Sequence, residues 1–197
     1  LAILPRGLET EVFDLRHRNP EFWRKRGVRG KVVLYVGRIS KEKELNLLAQ
    51  VAERFKGDAG IHFAFVGDGP YLPELKGKLP QAIFTGPLHG QDLSEAYASA
   101  DLFVFPSTTD TYGNVVIEAM ASGLPALVSD QGGPRELLRD PADGKVVSGG
   151  VAEWEKAIRV VLEDGVEDEG RKLRRKRTVE GRRWEEAFAR FWENGLL

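Results

Sequence analysis

The sequence predicts an α/β domain on a doubly wound parallel sheet of six strands, with extra helices after the last strand. Three observations carry this reading. Short apolar runs recur along the chain and are continuous rather than alternating, as strands covered on both faces read. Amphipathic stretches of helical period separate them. Turn residues, glycine above all, follow the runs.

In chain order, Pro5, Arg6 and Gly7 mark a turn, and Pro20 before Glu21, Phe22 and Trp23 marks the first position of a short helix. The strand runs are residues 32–36, 61–66, 82–85, 102–105, 126–129 and 145–147, rich in β-branched and aromatic side chains. Leu45, Leu47, Leu48, Val51, Ala52 and Phe55 place one helix between the first two. Leu93, Ala96, Tyr97 and Ala100 place another, and Val115, Val116, Ala119 and Met120 a third, which ends near Gly123 and Pro125. Trp154, Ala157, Ile158 and Val161 mark a helix after the last strand. Residues 171–177, from Arg171 to Arg177, are six cations around one leucine. They read as a solvated face offset by the acidic residues just upstream, or as a peripheral contact with an anionic membrane. Trp184, Phe188, Phe191 and Trp192 form an aromatic stripe that either packs on its own domain or, exposed, promotes dimers.

Composition removes several classes. With 42% hydrophobic and 30% charged residues over 197, the chain is globular rather than disordered. The 29 basic and 30 acidic residues leave a net charge of −1, so no global field marks a nucleic-acid binder. No cysteine is present, which excludes a disulfide scaffold, a zinc-thiolate site and a thiol nucleophile, and fits a reducing, cytoplasmic setting. Three scattered histidines make no metal-ligand set. No apolar run approaches the ~20 residues of a membrane span. The start at Leu1, without Met or a signal pattern, leads to the expectation of a piece of a longer chain.

In such a sheet all strands end on one rim, where ligands bind. The first loop there, Gly37-Arg38-Ile39-Ser40-Lys41-Glu42-Lys43, is neither G-x-G-x-x-G nor a P-loop. It sets Arg38 and Lys43 around a strand-to-helix turn, either as solvated cations or as a phosphate-binding pair. Gly67-Asp68-Gly69-Pro70 follows the second strand; its glycines admit a ligand closely or simply turn the chain, and Asp68 accepts from a base or ribose or caps a helix. After the third strand, Gly86 and Leu88 lie beside Phe84, which with Leu88 could flank a base; His89 reads as a loop residue or helix-start partner. Beyond the fourth strand, Asp110-Thr111-Tyr112-Gly113-Asn114-Val115 leads into a helix carrying Glu118. Gly113 would open that helix with free N–H groups on the rim, which favour phosphate and sugar oxygens. Asp110 and Glu118 can face one ligand, or be only a cap and a surface residue.

Together these segments resemble the donor-binding C-terminal domain of GT-B glycosyltransferases, the large retaining family called group 1 or family 4. The markers run in order: Arg6-Gly7-Leu8-Glu9-Thr10-Glu11-Val12-Phe13, Gly37-Arg38 with Lys43, Gly67-Asp68-Gly69-Pro70, Thr85-Gly86, the acids Asp110 and Glu118, Gly132-Gly133-Pro134-Arg135-Glu136, and Trp184-Glu185. The resemblance implies a Rossmann-like fold and a nucleoside-diphosphate sugar as donor, a UDP-sugar before a GDP-sugar. It implies transfer with retention and without a metal or other cofactor.

Arg38 and Lys43 match the basic pair on the diphosphate. Asp110 matches the acid that touches sugar hydroxyls, although the family usually has Glu there, and Glu118 matches the acid on the ribose. Gly67, Asp68, Gly86 and Leu88 would lie where the nucleobase and its ribose pack, the amides of Gly113, Asn114 and Val115 would add the helix terminus and touch the donor sugar, and Gly37, Thr111 and Tyr112 would also belong to the donor site. Residues 1–30 would then be an entry segment from an absent N-terminal acceptor domain, 31–177 the donor domain, and 178–197 a crossover helix. The fragment would bind donor but transfer sugar poorly, in the cytoplasm or at the inner membrane face. A GT-B epimerase or hydrolase domain, or a non-catalytic nucleotide sensor, are the competing readings.

Overall fold

A computed structural model describes residues 12–163 and 169–179. Its centre is a sheet of six parallel strands in the order β3-β2-β1-β4-β5-β6. They are β1 (Lys31–Val36), β2 (Ile61–Val66), β3 (Ile83–Gly86), β4 (Leu102–Phe105), β5 (Ala126–Ser129) and β6 (Gly144–Val147). Strand order reverses between β1 and β4, which opens a crevice at their C-terminal ends. All four residues of β4 and of β5 are buried, as helices on both faces require, whereas the edge strands β3 and β6 are only partly covered.

The helices are α1 (Glu21–Arg24), α2 (Leu45–Arg54), α3 (Leu72–Lys78), α4 (Gly90–Ala98), α5 (Asn114–Ala121), α6 (Val151–Glu163) and α7 (Glu169–Val179). Leu45, Leu48, Ala49, Val51 and Ala52 form the buried face of α2. Pro20 precedes α1 as its cap instead of occupying its first position. The helical pattern of α3 is hidden in the sequence by Pro73 and Gly77; Leu75, with Leu79 just beyond, fixes it to the core.

The entry segment contributes to the same core as the sheet: Phe13, Phe22, Trp23 and Val28 are all buried in it. The Trp23 indole N–H donates to the carbonyl of Ala96 at 3.2 Å. Helix α7 runs through the expected boundary at 177 and is bonded to the domain. The buried Arg175 donates to the carbonyls of Gly123 at 2.9 Å and Ala142 at 2.7 Å. Thr178 donates to Asp143 at 2.9 Å, and Lys176 pairs with Asp14 at 2.7 Å. Arg175 and Lys176 of the basic run thus have partners within the fold. The early marker at 6–11 and the aromatic stripe at 184–192 lie outside the described residues. No helix among the described residues is long and apolar enough to cross a membrane.

The Asp14 carboxylate has a titratable signature. Burial pushes its pKa up, but hydrogen bonds from Lys176 and from the Arg16 amide outweigh this and leave it at about 2 against an ordinary 3.8. A carboxyl depressed in the folded state adds stability above the unfolded value, and that stability fades as pH falls through the folded value. Asp14→Asn is therefore expected to cost about 2 kcal/mol at neutral pH and little near pH ~2. Urea unfolding at both pH values measures the difference; an equal loss at both would remove the ion pair as its cause.

Candidate functional site

The loops leaving β1, β2 and β3 are bonded to one another into a shelf along the rim. The Gly37 amide donates to Val66 at 3.0 Å, Gly67 to Gly86 at 2.9 Å, and Ile39 to Asp68 at 2.8 Å. A Cβ on Gly67, whose φ is +132°, would overlap the Gly37 carbonyl, and one on Gly69 the Ile39 carbonyl. These two glycines thus let neighbouring loops touch, a more specific need than a turn. The exposed Asp68 folds back to accept from the Gly69 amide at 2.7 Å. Beneath the shelf, the buried Tyr35 donates to the Arg38 carbonyl at 3.0 Å and stacks on Phe105 at 6.2 Å.

Across the crevice stands the loop after β4. Lys43 Nζ meets Asp110 Oδ2 at 2.7 Å, so residues far apart in sequence close the gap between the two sheet halves. Their side chains keep 20% and 25% of their exposure, which leaves the pair partly desolvated yet reachable. Thr109 Oγ1 adds a long bond to the Glu42 carbonyl at 3.4 Å. Gly113 caps α5 at φ +79°, with no side-chain acceptor at the cap. The amides of Asn114 and Val115 have no acceptor among the described residues, so the positive end of α5 is open. In the middle of α5, Glu118 Oε2 accepts from the Tyr97 hydroxyl at 2.8 Å. Burial pushes the Glu118 carboxyl up in pKa, and the tyrosine bond partly offsets that.

The remaining expected residues divide. Arg38 is exposed and forms no ion pair among the described residues. Thr111 is exposed, while Tyr112 and Leu88 pack partly against the core. Phe84 stacks on Phe65 at 5.1 Å and 14°, so one of its faces serves the core and not a base. His89 precedes α4 without a side-chain cap bond. A cavity of about 750 Å³ lies away from this rim, at the N-terminal strand ends beside Trp23, Lys31, Gly60 and Asp101.

A family model described as "Glycosyl transferases group 1" matches residues 30–164. The chain belongs to that family. The sulfoquinovosyl transferase SQD2 of Arabidopsis thaliana is 39% identical over 174 residues, covering 83% of this chain and 33% of its own length. A GDP-mannose-dependent alpha-mannosyltransferase of Mycobacterium tuberculosis is 35% identical over 91% of this chain and 46% of its own. Anabaena HepE, solved with UDP and glucose, superposes with a TM-score of 0.81 at 20% identity, over 97% of this chain and 55% of that one. The chain thus spans a third to about half the length of these proteins.

In this group 1 domain the marker Gly132-Gly133-Pro134 has a task that its place in the sequence does not reveal. It buttresses the loop that carries Asp110. The Gly133 amide donates to the Asp110 carbonyl at 2.9 Å, and a Cβ on Gly133 would overlap the Thr111 carbonyl. A Cβ on Gly113 would come within 2.8 Å of Pro134 Cγ. Tyr35 and Tyr97 read only as core positions in the sequence, because a tyrosine in an apolar pattern reads as core until its hydroxyl is located.

Proposed function

We propose that this chain is the donor-binding half of a retaining, metal-independent glycosyltransferase that takes a nucleoside-diphosphate sugar. The carrying observation is the partly buried Lys43–Asp110 pair across the crevice, beside the free amides of Asn114 and Val115. Lys43, Arg38 and those amides bind the diphosphate. As the bond from the sugar to phosphate oxygen breaks, its electron pair moves onto the leaving phosphate, and the same groups stabilise that growing charge. Asp110 orients sugar hydroxyls and Glu118 the ribose. An acceptor hydroxyl, bound by a second domain, attacks the sugar on the face the phosphate leaves and passes its proton to the leaving phosphate oxygen. The names of the relatives, and the UDP and glucose in the Anabaena structure, support this class of donor.

A melting titration with UDP, GDP, ADP and their glucose and mannose derivatives tests the reading. At about a hundred times its dissociation constant a ligand adds ~2.7 kcal/mol. For a domain of this size that raises Tm by roughly 5–10 °C. A rise confined to one nucleotide names the base, UDP being the first expectation. No rise with any of them would withdraw the donor site from this chain.

A further inference from the structure

We infer that Tyr97 is a positioning residue for nucleotide recognition, acting through Glu118; the inference rests on the ribose role proposed for that acid. Tyr97 is fully buried on α4, one helix away from Glu118 on α5. Its ring is held edge-on by Phe13 at 5.6 Å and 84°, and leans on Phe103 at 5.8 Å. A ring clamped in this way presents its hydroxyl in one place, and that hydroxyl donates to Glu118 Oε2 at 2.8 Å.

Two things follow for the carboxylate. One oxygen is occupied and the plane of the group is set, so Glu118 has little rotamer freedom left to lose when a ligand arrives. The other oxygen, Oε1, has no donor among the described residues. A carboxylate with one oxygen tied and one open accepts from a hydroxyl pair such as the cis-diol of a ribose. Without the phenol, the same half-buried carboxylate loses its donor and can turn away from the ligand. The hydroxyl thus sets where the acid points without touching the ligand itself.

The test is calorimetric binding to the full chain, with UDP, its 2′,3′-dideoxy analogue and inorganic pyrophosphate as probes. Tyr97→Phe keeps the ring and removes the hydroxyl. It is expected to weaken UDP about tenfold, to leave pyrophosphate unchanged, and to erase most of the preference for UDP over the dideoxy analogue. General damage would instead weaken UDP and pyrophosphate together, and that result overturns the inference. Should Tyr97→Phe fail to fold, Phe13→Leu, which loosens the clamp on the ring and keeps the hydroxyl, carries the test: a reduced diol preference with pyrophosphate unchanged is expected, and an intact preference overturns the inference. In a cycle, Tyr97→Phe placed on Glu118→Gln is expected to add nothing, and a further tenfold loss overturns action through the acid. If the unaltered chain binds UDP and its analogue equally, the ribose role of Glu118 falls and this inference with it. If the unaltered chain discriminates but Tyr97→Phe does so equally well, this inference alone falls.

Discussion

Lys43→Ala is expected to weaken the nucleoside diphosphate by roughly thirty- to a hundredfold, or about 2–3 kcal/mol. Two effects add. The diphosphate loses a cation whose side chain is only 20% exposed, where screening is weak. Asp110, bonded to Lys43 at 2.7 Å, is then left as an uncompensated negative group facing an incoming anion. Arg38, exposed and fully hydrated, is expected to matter less, with Arg38→Ala costing about five- to tenfold. Pairing Lys43→Ala with Asp110→Asn separates the two effects, since it removes the repulsion while keeping the lost attraction. Partial recovery of affinity is the expected result. An affinity for UDP that is unchanged in Lys43→Ala would remove this lysine from the site.

The second large effect is expected at a residue with no side chain and no ligand contact. Gly133 has an ordinary backbone conformation, φ −76° and ψ −29°, so alanine there meets no torsional objection. The new methyl would nevertheless overlap the Thr111 carbonyl, and the loop bearing Asp110 must shift to admit it. Overpacking of this kind costs about 1–3 kcal/mol of stability. The displaced Asp110 and α5 cap would also lower nucleotide affinity by about tenfold or more. Gly77→Ala is the matched control: nothing lies within 4 Å of its added Cβ in the last turn of α3. That change is expected to raise stability by about 0.5–1 kcal/mol. Chemical unfolding and UDP binding on both variants check the pair. A Gly133→Ala protein with native stability and affinity would show that the loop needs no buttress.

The sheet was readable because burial on both faces writes strands as unbroken apolar runs; β2, β4 and β5 match the sequence reading to the residue. Helix α3 was not, since a seven-residue helix with a proline and a glycine carries too few apolar positions for a period to emerge. The site was legible as separate pieces. Gly37, Arg38, Lys43, Asp110 and Gly113 all lie on the loops where strand ends place them. What the chain order could not state was that Lys43 and Asp110 touch, or that Asp68 turns back on its own loop. Arg175 was read as one of six surface cations, because charge density in a sequence says nothing of which guanidinium finds two buried carbonyls. Tyr97 is legible only as a core position of a helix and Gly133 only as a marker for a related reason: their tasks are defined by partners 21 and 22 residues away.

The β1–β4 junction registers only two residue pairs, Val33 with Leu102 and Leu34 with Phe103, against six for β1–β2. It is the shortest ladder in the sheet, and it joins two blocks that are each continuous in sequence. The binding crevice sits at the end of this seam. On the proposed donor role, a nucleotide held by Lys43 on one block and by the α5 amides on the other would act as a removable rivet. Its departure would leave this short ladder and the packing around it to join the two blocks unaided, and hydrogen exchange at the crevice end of β1 and β4 is expected to quicken.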